Sequence, residues 1–275
     1  MWVFGQILDR YATEGYGPPV GTLEAIEMAA RTGALAGVVL NYPFPEPDLA
    51  VHEVAAALRK HNLSAVSVTP VIYGREFRSG SFTNPDPSLR RKAVDLGHEA
   101  VAAARELGAG HVKFWPGQDG YDYPFQVDYA TVRRHGIEGI RDVARNFPDM
   151  TFGIEYKLKE PRARLLWSTA AASLLGIAAM GVDNVGLVLD FGHSLFAKEN
   201  PAEVFTLAHE RGCLVDIELD DNYREDPVDA VRTSVATLRL LEERCERIPL
   251  DELAAIQERH DALAAQRLIQ KVILA

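Results

Sequence analysis

Residues 151–162, TFGIEYKLKEPR, and residues 184–194, NVGLVLDFGHS, are short apolar runs that end in charged groups, and each reads as a buried strand. A helix-like segment separates them. Glu155 and Lys157 stand two residues apart, so a strand of period two turns both side chains to one face. Asp190 closes the second strand, and His193 follows on the turn three residues later. Carboxylates and an imidazole at the carboxyl ends of successive parallel strands are what a metal-dependent (β/α) barrel needs. The plainer alternative makes Glu155 and Lys157 a rim salt bridge and Asp190 a helix cap.

Outward from this core the chain alternates strands and helices, the pattern of a parallel α/β fold. Strands are expected at residues 1–7 (MWVFGQI), 37–44, 64–69, 111–115, 151–156, 185–190 and 213–219. Helices are expected at 22–31 behind a Thr22 cap, at 49–60 behind Asp48, at 89–107, at 129–146, from Pro161 through 179, and at 201–211. Two connections exceed the ~4–6 residue median: VIYGREFRSGSFTNPDPS at 71–88 and PGQDGYDYPFQVDY at 116–129. The second follows Trp115 and mixes aromatic faces, which cover C–H patches, with amides and carboxylates, which take hydroxyls. Such a loop suits a sugar, and Trp115, Gln118 and Asp119 are its candidate contacts; a packed Ω-loop without ligand is the alternative.

In LVDIELDDN, residues 214–222, Asp216, Glu218 and Asp220 share one face of a strand and Val215, Ile217 and Leu219 the other. With the apolar face against helices, the carboxylates point into the barrel mouth, where their repulsion demands a cation or protons. The strand could otherwise lie on an edge with its acidic face in water. Beyond Asn222 no further strand is legible. Asp226 and Pro227 open a helix to about Arg247, and a second runs from about Leu250 to the end. In the second, Leu253, Ile256, Leu263, Leu268 and Ile269 form an apolar stripe that needs a partner surface, either another protomer or the chain's own barrel. The expected organisation is a TIM (β/α) barrel over residues 1–225, incomplete or with fewer than eight strands, and a C-terminal helical extension over residues 226–275.

Composition narrows the function. The 275 residues, 47% hydrophobic, support one large core, close to the ~250 residues typical of a (β/α)₈ barrel. A formal net charge of −10 disfavours nucleic acid, whose phosphates are bound by clustered Lys and Arg. Cys213 and Cys245 lack metal-type spacing and suit a reducing compartment. No apolar run approaches a membrane span and no signal-peptide order opens the chain, so a cytoplasmic protein with no membrane partner is expected.

The segments SFTNPDPS, WPGQDGYDYPFQVDY, GIEYKLKEPR, LDFGHSLFAKENPAE and DNYRED together resemble the xylose isomerase-like TIM-barrel superfamily, most closely sugar isomerases of the L-rhamnose isomerase type. The resemblance implies that Glu155 ligates a divalent metal, Mn²⁺ or else Mg²⁺ or Co²⁺, and that Lys157 hydrogen-bonds a sugar oxygen. It implies that Asp190 bridges and that His193 ligates a second ion or a proton-shuttling water. Glu218 stands where such proteins often carry a third ligand, a His, and Asp220 is a further ligand candidate. Relatives carry a longer segment between the DNY and REDP motifs, so either Asp220 stands for an eighth-strand ligand or the barrel is incomplete. The implied activity is aldose–ketose isomerisation of a monosaccharide; nothing Gly-rich at a helix start cradles phosphate, which favours an unphosphorylated one, and the apolar stripe of the tail favours a homo-oligomer joined through the C-terminal helices. Glu155, Lys157 and His193 would be its catalytic residues. Alternatives are an epimerase of the same superfamily and a non-catalytic sugar-binding or scaffold protein. A metal-dependent endonuclease of that superfamily is disfavoured by the acidic balance and the sparse His.

Overall fold

The computed structural model describes residues 2–5, 17–219 and 226–274. In chain order it contains α1 (Thr22–Arg31), β1 (Gly37–Tyr42), α2 (Val51–Lys60), β2 (Ser64–Pro70), α3 (Pro87–Leu107), β3 (His111–Phe114), β4 (Gly120–Tyr121), α4 (Tyr129–Asn146), β5 (Thr151–Glu155), β6 (Arg164–Leu165), α5 (Ala170–Met180), β7 (Val185–Asp190), α6 (Phe191–Phe196), α7 (Pro201–Glu210), β8 (Leu214–Glu218), α8 (Pro227–Cys245), α9 (Leu250–Glu258) and α10 (Ala262–Leu274). Six strands form one sheet in the order β1-β2-β3-β5-β7-β8, every neighbour parallel. This is an incomplete TIM barrel: among the described residues β1 and β8 each pair on one side only.

The strands form where continuous apolar runs can be buried on both faces, as parallel sheets require. Phe152 and Ile154 of β5 and Leu187 and Leu189 of β7 lie with Val112 and Phe114 of β3 in a core closed by Ala100, Val101 and Ala104 of α3 and Ile140 and Val143 of α4. Phe114 and Phe152 stack with centroids 5.8 Å apart. A second core joins Val38 and Leu40 of β1 to Ile26 of α1, Val54 and Leu58 of α2, and Val228 and Val231 of α8. The first helix of the C-terminal extension thus folds back on the barrel, and Arg232 fixes it there by donating to the carbonyls of Arg31 (2.9 Å) and Thr32 (3.2 Å), the orphan acceptors at the end of α1.

Several sequence expectations shift. The strand expected at residues 1–7 is instead a 3₁₀ turn at Trp2–Phe4, and residues 6 and 7 lie outside the described residues. Thr22 does not cap α1; Gly21 is the N-cap, and Thr22 donates from its amide (2.6 Å) and hydroxyl (2.8 Å) to Glu46. Asp48 does not cap α2, where Ala50 is the N-cap and Glu53 reaches back to its amide at 2.9 Å. Pro161 does not start a helix either. Residues 156–169 fold into a turn whose β6 pairs with β4, and α5 begins at Ala170 behind the Thr169 hydroxyl.

The strand β8 carries a bulge, with Leu187 opposite Leu214 but Val188 opposite Asp216. The extra residue, Val215, turns onto the inner face above Gly153 and Gly186. A Cβ on Gly186 would collide with the Cys213 carbonyl oxygen and meet Val215 Cγ2 at 2.7 Å. Gly186→Ala is therefore expected to cost roughly 1–3 kcal/mol by overpacking, read as a lower denaturation midpoint in urea.

Candidate metal and sugar site

The inner face of the sheet carries a line of charge at the carboxyl ends of its strands, the end where barrel enzymes keep their chemistry. Period two sends His111 and Lys113 of β3 inward while Val112 and Phe114 enter the helix-side core. The same alternation, after the bulge, sends Asp216 and Glu218 of β8 inward. The half-barrel curls enough for these two strands to meet across its interior, with β5 and β7 between them in the sheet. His111 Nε2 lies 3.4 Å from Asp216 Oδ2, and Lys113 Nζ lies 2.6 and 2.8 Å from the two Glu218 oxygens.

Glu155, the last residue of β5, is buried at the centre of this group. Its Oε2 is 2.7 Å from Lys113 Nζ, and its Oε1 is 3.3 Å from His193 Nδ1. Asp190, the last residue of β7, accepts the His193 amide at 2.8 Å as N-cap of α6, and its Oδ2 is 3.7 Å from His193 Nδ1. The cap holds the imidazole over the carboxylates. Burial raises the pKa of Glu155 against the pull of Lys113, and pushes that of Glu218 up to about 7, with Glu155 adding to the effect. Burial alone would lower the Lys113 ammonium; the charges of Glu155 and Glu218 outweigh it and hold the proton.

One ligand atom each from Glu155, Asp190 and His193 lies within 4.8 Å of the others, and all three residues are buried. Two carboxylates and an imidazole are a donor set that suits Mn²⁺ or Mg²⁺, and three protein ligands leave open positions for water or substrate, so the residues present fit a divalent cation.

The other expected site residues scatter. Trp115 follows β3, half-buried, with its ring 5.2 Å from Tyr73 in an edge contact. Tyr73, which the sequence does not single out, has its hydroxyl within the fields of Lys113 and Glu155, and burial pushes its pKa up. Gln118 is half-buried nearby, its carbonyl 3.3 Å from Arg162 Nε. Asp119 is not placed to hold a sugar: it is wholly buried, and its carboxylate is taken up by the amides and hydroxyls of Ser81 and Thr83 at 2.6–3.1 Å. Lys157 does not share a strand face with Glu155, because β5 ends at Glu155. Its amide donates to Trp167 O at 3.0 Å, its side chain is half-buried, and among the described residues no ion pair joins it to Glu155. Glu218 stands outside the three-ligand cluster, engaged by Lys113, and Asp220 lies outside the described residues.

A family model described as a xylose isomerase-like TIM barrel matches residues 23–239. Xylose isomerase of Thermus thermophilus is 28% identical over 185 residues, covering 65% of this chain and 48% of the relative. Xylose isomerase of Cereibacter sphaeroides is 24% identical over 234 residues, covering 73% and 52%. The chain thus spans about half the length of the curated relatives it matches. Among solved structures, a 3-keto-D-glucoside 4-epimerase from E. coli superposes with a TM-score of 0.64 at 16% identity, covering 86% of this chain and 98% of that one. A D-psicose 3-epimerase from Clostridium cellulolyticum gives 0.59 at 17%, covering 72% and 67%. These likenesses show the fold. No helix among the described residues is long and apolar enough to cross a membrane.

Proposed function

The chain belongs to the xylose isomerase-like TIM-barrel family, and on that premise we propose that it is a metal-dependent sugar isomerase acting on an unphosphorylated monosaccharide. The observation that carries this reading is the buried cluster of Glu155, Asp190 and His193 at the carboxyl ends of β5 and β7. A divalent cation bound there supplies Lewis-acid polarisation of the sugar's C1 and C2 oxygens. Glu155, Asp190 and His193 would hold the ion, the Asp190 cap fixing the imidazole of His193 over the carboxylates. Trp115 and Tyr73 offer the apolar wall that a sugar ring needs, and Lys157, half-buried beyond β5, is the proposed partner of a sugar oxygen. Exposed Leu250 and Leu263 on the helical extension support a homo-oligomer.

Epimerisation is the second reading. It is favoured by Glu218, whose carboxyl sits near neutrality, where a general acid–base group works best. The two reactions separate in D₂O. Incubated with Mn²⁺ and a panel of aldoses and ketoses, an isomerase that moves hydrogen directly between C1 and C2 yields product without deuterium at carbon. An epimerase that abstracts a proton yields deuterated epimer. Tight Mn²⁺ binding with no sugar converted would favour a non-catalytic sugar-binding protein.

A further inference from the structure

We propose that Lys113 is a tethered cation that holds Glu218 out of the metal's coordination, so that, of the described residues, a bound ion takes Glu155, Asp190 and His193. The inference rests on the metal-binding part of the proposed function but not on the sugar reaction. Its basis is the way the two oxygens of Glu155 are divided. Oε2 faces the ammonium of Lys113 at 2.7 Å, and Oε1 faces His193 at 3.3 Å, on the side of the three-ligand cluster. Both oxygens of Glu218 are spent on the same ammonium, at 2.6 and 2.8 Å.

The electrostatics give this arrangement a consequence. Glu155, Asp190 and Glu218 bring three carboxylates to one face, and Lys113 is paired with two of them, Glu155 and Glu218. A fixed positive charge in contact with a ligand carboxylate repels an incoming divalent ion and withdraws part of the negative charge that would attract it. A lysine side chain is long enough to reach both strands from β3, and when protonated it has no lone pair with which to ligate a metal, so it acts on the site through its charge and its N–H donors alone. The ion's affinity and its position are therefore set by Lys113 as much as by its ligands.

The test is calorimetric titration of Mn²⁺ into chelator-stripped protein, with the bound-ion EPR spectrum as a second readout, for the parent chain, Lys113→Met, Glu218→Gln and the double variant. Lys113→Met should bind Mn²⁺ at least tenfold more tightly than the parent and show an altered EPR spectrum, because Glu218 becomes a ligand. Adding Glu218→Gln to it should remove that gain. Glu218→Gln alone should change the parent's affinity less than tenfold. If the parent binds no Mn²⁺ and Lys113→Met does, the inference stands while the metal-dependent activity falls. Lys113→Met that folds, by its thermal melt, and binds no more tightly than the parent overturns the inference. So does a loss of tenfold or more in Glu218→Gln, which decides the matter even if Lys113→Met fails to fold.

Discussion

Glu155→Gln is expected to weaken Mn²⁺ binding by more than about 100-fold while leaving the fold intact. Loss of an outer-shell partner of a metal ligand typically costs ~10–100-fold, so loss of a ligand that is central to the cluster should exceed that. The substitution keeps the size of the side chain, and its amide oxygen can still accept from Lys113, which lies 2.7 Å from the carboxylate. It also relieves the burial of a charge, so the thermal melt should not fall. Asp190→Ala is a poorer probe, because it also removes the N-cap of α6, worth about 1 kcal/mol. The same carboxylate makes binding pH-dependent. Burial, against the pull of Lys113, raises the pKa of Glu155, so protons compete with the ion at higher pH than at an exposed carboxylate. Affinity should fall as pH is lowered, so Mn²⁺ titrations at about pH 8 and about pH 5 should differ, with the weaker binding at the acid one. Equal affinity at the two pH values, or full binding by Glu155→Gln, would place the ion elsewhere.

Much of this architecture was legible because the inner strands of a parallel sheet are apolar on both faces and announce themselves as continuous runs. Residues 185–190 fall where they were expected, and β1, β2, β3, β5 and β8 fall within a residue or two. The failures have specific causes. The run at residues 1–7 is as apolar as a strand, yet Trp2–Phe4 turns and its Phe4 packs under α1 and α8, a tertiary outcome that no local pattern encodes. Placing Lys157 on the face of Glu155 carries period two past the end of β5, and two residues beyond a strand's last residue suffice to move a side chain from the sheet to the loop. Lys113 does carry a signal in the sequence. A lysine inside the short strand HVKF is rarely buried unless paired, and it shares the inner face with His111. What the sequence could not reveal was the partner, because Glu218 lies 105 residues away and meets Lys113 only through the curl of the sheet.

Asp119→Ala is expected to cost roughly 2–5 kcal/mol of stability, the scale of leaving several buried neutral donors without their acceptor. Four donors converge on this carboxylate: the amide and hydroxyl of Ser81 at 2.6 and 2.9 Å, and the amide and hydroxyl of Thr83 at 3.1 and 2.6 Å. Ser81 is as fully buried as Asp119, so its donors have no ready exchange with water, and each buried group left unpaired costs ~1–3 kcal/mol before the loop relaxes. The Asp119 carbonyl in turn accepts the Leu166 amide at 2.9 Å, so this one residue joins the loop after β2, the loop after β3 and the turn before α5. Asp119→Asn should fall between parent and alanine, because its NH₂ would confront donors that now meet an oxygen. The outcome separates two roles. If Asp119 fastens the loops that carry Tyr73 and Trp115, the urea midpoint drops and Mn²⁺ affinity at Glu155, Asp190 and His193 stays within a few-fold of the parent. If it were a sugar contact, the midpoint would hold and the loss would appear in sugar binding alone; a carboxylate with four protein donors and no exposed surface predicts the first.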